Sequence, residues 1–130
     1  MGLFGSSKEF IPSHPALVVG MDKGKYSRLF EKSDPYIASE IRPGEEVVLY
    51  SFGFEAIADE VVVVTNQRIL LANGRKIRAI DLESVSETRL LKSPNGTCMV
   101  ALEPRQGLIQ FLSENSAQFV CGAIDANLPS

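Results

Sequence analysis

The chain has no tryptophan, one histidine and two cysteines among 130 residues. The lone histidine, His14, stands between Ser13 and Pro15. It leaves no Ser–His or Cys–His pair for a packed core to hold in place, so nucleophilic catalysis of that type lacks its residues. Cys98 and Cys121 sit in no metal-ligand spacing and make no disulfide framework. Both lie among apolar neighbours and are expected to be small buried thiols. No apolar run approaches the roughly 20 residues of a membrane span. No basic segment followed by a long apolar stretch opens the sequence, so no secretory signal is expected and a cytoplasmic location follows. No glycine-rich phosphate cradle follows a strand. Cationic charge is also scarce: 13 Lys and Arg stand against 16 Asp and Glu, for a net charge of -3. Phosphate binding is driven by Lys and Arg displacing counterions, so nucleic acid is a disfavoured partner. These absences predict a protein that is not an enzyme and carries no metal and no cofactor.

What remains is an ordinary globular composition, 45% apolar and 22% charged, at the size of one domain. Residues 1–23 read as an N-terminal tail rich in Gly, Ser and Pro, with one apolar patch at 16–19. Its first six residues, MGLFGS, match the myristoylation template with Gly2 as acceptor. One acyl chain binds only marginally, about 10⁴ M⁻¹, and no polybasic partner follows, so lipidation is not expected. Residues 24–130 read as the domain.

Within it, 24–43 forms a helical extension. Tyr26, Leu29 and Phe30 recur at helical spacing, and Ile37 and Ile41 share a face. Ser33-Asp34-Pro35 reads as a helix start: a capping side chain, an acid, then proline in the first turn. Pro43-Gly44 ends it. Residues 45–113 then change period. Apolar stretches at 46–54, 60–65, 68–72, 76–82, 85–91, 97–102 and 108–112 are separated by turns, among them Asn73-Gly74 and Ser93-Pro94-Asn95-Gly96. Seven short strands with no helix between them predict an antiparallel barrel or sandwich. From 116 to 128, Ala117, Val120, Cys121, Ile124 and Leu128 fall on one face, with Asn115 or Ser116 as cap. This amphipathic helix should close one end of the barrel.

The segments RPGEEVVLYS (42–51), VVVVTNQRILLANG (61–74), IRAIDLESVSE (77–87) and SAQFVCGAIDANL (116–128), in that order, resemble the bacterial pleckstrin-homology (PH)-like domains, the YokE-like group most closely. The resemblance covers about residues 36–128. It implies a mainly β, PH-like seven-stranded fold capped by a C-terminal helix. In eukaryotic PH domains that bind phosphoinositides the basic cluster lies in the first hairpin. Here that stretch, 53–60, carries Glu55, Asp59 and Glu60 and no cation. The resemblance therefore implies the fold without that ligand.

Two groups of residues stand out. Thr65, Asn66 and Arg68 mark a structural turn, because Thr and Asn side chains bond nearby backbone groups; Arg68 is expected to pair with a local acid or carbonyl. Arg75, Lys76 and Arg78 cluster at and after the Asn73-Gly74 turn and form the candidate binding site, for an anion or an acidic partner. The carboxylate pairs Glu45-Glu46 and Asp59-Glu60 read as solvated strand ends. Apolar residues on both faces of 47–50, 61–64 and 69–71 need cover, either from the 25–42 helix or from another subunit. The functional expectation is a non-catalytic binding or scaffolding module that acts through protein–protein contacts, with self-assembly into a homo-oligomer as one form. The alternative is a peripheral membrane-surface adaptor that uses the N-terminal segment or the basic hairpin tip on anionic lipid.

Overall fold

The computed structural model describes residues 11–20, 25–55, 58–94, 96–105, 107–111 and 113–129. The Gly2 motif, Asn95 of the second turn and Leu112 lie outside them. The chain runs β1 (Leu17–Val18), α1 (Lys25–Glu40), β2 (Val47–Glu55), β3 (Ala58–Thr65), β4 (Arg68–Asn73), β5 (Lys76–Asp81), β6 (Glu87–Lys92), β7 (Cys98–Glu103), β8 (Gly107–Phe111) and α2 (Glu114–Asn127), with a short 3-10 turn at Leu82–Ser84. The strands lie in the order β5-β4-β3-β2-β8-β7-β6, antiparallel throughout. A single register pair, Phe54 with Gln110, joins β2 to β8. The sheet thus divides into a four-stranded and a three-stranded half, a sandwich whose end strands β5 and β6 are not paired to each other. The seven expected strands are present. The eighth, β1, adds in parallel to β2 through Leu17 and Val18.

The run of four valines in β3 explains the layering. A strand sends alternate side chains to opposite faces. Val62 and Val64 join Ile69, Leu71, Val100, Ile109 and Phe111 inside the sandwich, where Ala117, Val120 and Ile124 of α2 close over them. Val61 and Val63 point outward with Leu70 and Ala72, and Tyr26, Phe30 and Ile37 of α1 cover them. The second apolar face of these strands is therefore covered within one chain, by the helix N-terminal to the sheet. The Phe30 ring lies 4.9 Å from that of Tyr50 and 5.8 Å from that of Phe52.

Helix α1 corrects the expected start at Ser33. It runs unbroken through Pro35. A proline inside a helix costs about 3 kcal/mol. Against that, Phe30 and Ile37, both fully buried, flank the proline on one stripe and contribute roughly 1.5–3 kcal/mol each. Continuity of the buried stripe wins. Ser33 and Asp34 are released from capping and bond elsewhere. Asp34 accepts hydrogen bonds from the Ser13 backbone N–H at 3.1 Å and from Ser13 Oγ at 2.6 Å. Tyr50 Oη donates to the His14 carbonyl at 2.9 Å, and Val19 N to the Tyr50 carbonyl. Residues 11–20 are thereby strapped across α1 and β2, with Val19 buried in the inner core. Burial and the nearby Asp34 charge push the Tyr50 hydroxyl well above the usual tyrosine range.

The cap of α2 also moves. Ser113, in extended conformation, accepts from the Ser116 N–H, and the helix begins at Glu114. Several capping side chains follow one another here. Ser113 is chosen because it puts the Glu114 acid in the first turn and turns Ser116 inward, where it is buried. Of the two free thiols, Cys98 is buried but Cys121 is partly exposed. Cys121 Sγ lies 2.9 Å from Thr88 Oγ1, which donates to Asp125 Oδ1 at 2.6 Å, fastening α2 to β6.

Candidate functional site

The two groups singled out in the sequence lie at opposite ends of β4. At its start, Thr65 Oγ1 accepts from the backbone N–H of Gln67 at 3.0 Å and of Arg68 at 2.8 Å, closing the turn. Asn66 and Glu46 exchange two bonds: Asn66 N donates to the Glu46 carbonyl, and Glu46 N to Asn66 Oδ1. Arg68 is 3% exposed. It donates from Nε to Glu45 Oε2 at 3.0 Å, and from Nη2 to Glu45 Oε1 at 2.8 Å and to the Glu40 carbonyl at 2.6 Å. Glu45 is thus no solvated strand end; its side chain is fully buried against the guanidinium. Burial pushes its carboxyl up, but bonds from Arg68, Thr65 and the Arg42 N–H outweigh that and bring it down to about 2. This cluster ties the loop after α1 to the β3–β4 turn, and all its charges are spent on one another.

The other end carries the open surface. β4 turns into β5 at Gly74, whose φ of +61° suits glycine. Asn73 Nδ2 donates to the Asp59 carbonyl at 2.7 Å, and Gly74 N to Ser33 Oγ at 2.9 Å. The hairpin tip is thus held on one side by β3 and on the other by α1. A Cβ at Gly74 would come within 2.9 Å of Lys32 Cε, so the absence of a side chain lets Lys32 lie over the turn.

Around this tip runs a groove of about 930 Å³. Lys32 and Tyr36 line it from α1, Asp59 and Glu60 from β3, and Arg75, Lys76 and Arg78 from the hairpin. All three cations of the predicted cluster therefore border one concavity. Lys76 and Arg78 face the same way, opposite Asn73 and Leu71 in the β4 register. Arg78 Nη2 is 3.8 Å from Glu60 Oε1, and Glu60, expected to be solvated, is buried. Two contributors were not singled out by sequence reasoning: Lys32 and Tyr36. They lie some forty residues from the hairpin in the chain. Their only local signal was Ser33-Asp34-Pro35 beside them, read as a helix start. Tyr36 is 45% exposed, a large ring left uncovered at the groove edge.

Among the described residues no three His, Cys, Asp or Glu side chains are grouped to hold a metal ion. Among them also, no helix is long and apolar enough to cross a membrane. Comparison with known proteins found no matching family model, no matching curated protein and no matching solved structure.

Proposed function

We propose that this chain is a non-catalytic, PH-like binding module that docks a protein partner in the groove beside the β4–β5 hairpin. The observation that carries this reading is the groove's lining. An exposed aromatic ring, Tyr36, stands beside four cations and two acids. Aromatic rings and arginines are the side chains over-represented in protein interfaces. The cations outnumber the acids, so the partner presents a net negative segment with an apolar side chain to cover Tyr36. The acids distinguish this partner from a membrane. Asp59 and Glu60 repel an anionic lipid surface but can pair with cationic residues of a mixed-charge protein segment.

The test sets the two surfaces against each other. Fluorescence anisotropy follows an acidic, phenylalanine-bearing peptide, and flotation follows vesicles of phosphatidylserine and phosphatidylcholine. The expected outcome is peptide binding that weakens with salt and falls on Tyr36→Ala, with no flotation. Salt-sensitive flotation without peptide binding would replace the docking module by the membrane adaptor.

A further inference from the structure

The β5 edge carries an inference that rests on this reading and gives the partner's conformation and pattern. Among the described residues β5 pairs with β4 alone, at one end of the sheet. The register runs from Asn73 with Lys76 to Arg68 with Asp81, and Leu82 N continues it by donating to the Gln67 carbonyl. In an antiparallel ladder, hydrogen-bonded and non-hydrogen-bonded pairs alternate. The Gln67–Leu82 bond therefore places residues 76, 78 and 80 in bonded pairs with β4. The N–H groups of Ile77, Ala79 and Asp81 and the carbonyls of Ile77 and Ala79 are directed at the free edge.

Such an edge is a template for another strand. The side chains decide which strand is admitted. Lys76, Arg78 and Ile80 share one face. Arg78 borders the groove, as does Lys76, while Ile80 packs against the inner core. Lys32, Arg75, Lys76 and Arg78 outnumber Asp59 and Glu60 around the groove, so the net positive charge beside this edge favours a strand that carries acids. Ala79, on the other face, is small and exposed and raises no obstacle.

We infer that an extended segment of a protein partner adds to β5 as an antiparallel strand, with acids two residues apart opposite Arg78 and Lys76 and an apolar residue opposite Ile80. Residues 76, 78 and 80 become the non-hydrogen-bonded pairs of the new ladder, where facing side chains approach most closely. The antiparallel direction follows from its slightly greater stability. It sets the order in the segment as apolar-x-acid-x-acid. The acids reach into the groove while the backbone lies along the edge, a β-addition mode of recognition.

The probe is the blocked peptide Thr-Val-Thr-Glu-Thr-Glu-Thr, added to the full chain, with amide hydrogen exchange read by NMR. The expected result is at least about tenfold slower exchange at Ile77, Ala79 and Asp81, with Lys76, Arg78 and Ile80 unchanged because β4 already protects them. A peptide of the same composition with its two glutamates adjacent sends them to opposite faces and should bind at least about tenfold more weakly. Methylating the probe's alternate backbone nitrogens on the edge-facing side should abolish the protection. Binding that leaves 77, 79 and 81 unprotected overturns strand addition and leaves the groove reading standing. No binding by this or any acidic peptide overturns both.

Discussion

Replacing Glu45 by glutamine removes the charge on which the buried end of β4 is built. A carboxyl that ordinarily titrates near 4.5 and here titrates at about 2 holds roughly 3 kcal/mol of stability at neutral pH, at about 1.4 kcal/mol per pH unit. The sign follows from the folded value being the lower one. The contribution is fully present above pH 4.5, where the unfolded chain is also ionised, and is lost as pH falls from 4.5 towards 2. Glu45→Gln should therefore cost about 3 kcal/mol at pH 7 in urea unfolding, and the gap between wild type and variant should narrow to about 1 kcal/mol by pH 2.5. Arg68→Met should cost as much or more, on the order of 3–5 kcal/mol, because it strands a buried carboxylate. The double variant Glu45→Met, Arg68→Met should recover a large part of that loss, since neither charge is then left buried alone. A constant gap between wild type and Glu45→Gln from pH 7 to pH 2.5 would refute the linkage. A double variant no more stable than Arg68→Met would refute the claim that the pair is held by mutual compensation.

Three further outcomes follow from the same contacts. Phe30→Ala, in the outer core against Tyr50 and Phe52, should lower the unfolding free energy by about 3–5 kcal/mol, measured by urea titration; a loss under 1 kcal/mol would mean that α1 does not cover the sheet. Gly20→Ala places a Cβ 2.4 Å from Ser116 Oγ at a φ of +81°, and should loosen residues 11–20 by more than about 1 kcal/mol, seen as faster limited proteolysis in that segment. Cys121, whose thiol burial pushes upward, with a Thr88 bond opposing and Asp125 adding to the rise, should alkylate more slowly at pH 7 than a free cysteine; faster labelling, read by mass spectrometry, would contradict the Thr88–Cys121–Asp125 arrangement.

The strands were legible in the sequence because their signals are local. Asn73-Gly74 marks its own turn, and Val61–Val64 needs no partner to disfavour helix. The amphipathic stripe of α2 was legible for the same reason. Non-local competition hid the rest. Pro35 reads as a helix start until the Phe30–Ile37 stripe is known to face a sheet. Glu45 reads as a solvated strand end until Arg68, 23 residues on, folds back onto it. Half the basic cluster's setting was visible, since Arg75, Lys76 and Arg78 are close in the chain. Lys32 and Tyr36 join them only in the fold, where Phe30 and Ile37 seat α1 on the sheet and Ser33 bonds to Gly74, 41 residues away. β1 is two residues long, too short for any period to register, and it pairs with Leu49 and Tyr50 of β2, away from the Phe54–Gln110 pair that joins β2 to β8.

The most direct test of the docking groove is the affinity of the Thr-Val-Thr-Glu-Thr-Glu-Thr peptide for the wild-type chain and for Lys76→Glu, measured by isothermal titration at low and at physiological salt. The groove reading predicts saturable binding by the wild type that weakens as salt screens the pairs, and at least about tenfold weaker binding by Lys76→Glu, with thermal unfolding of the two chains unchanged. Equal affinity of the two chains at both salt concentrations would contradict it.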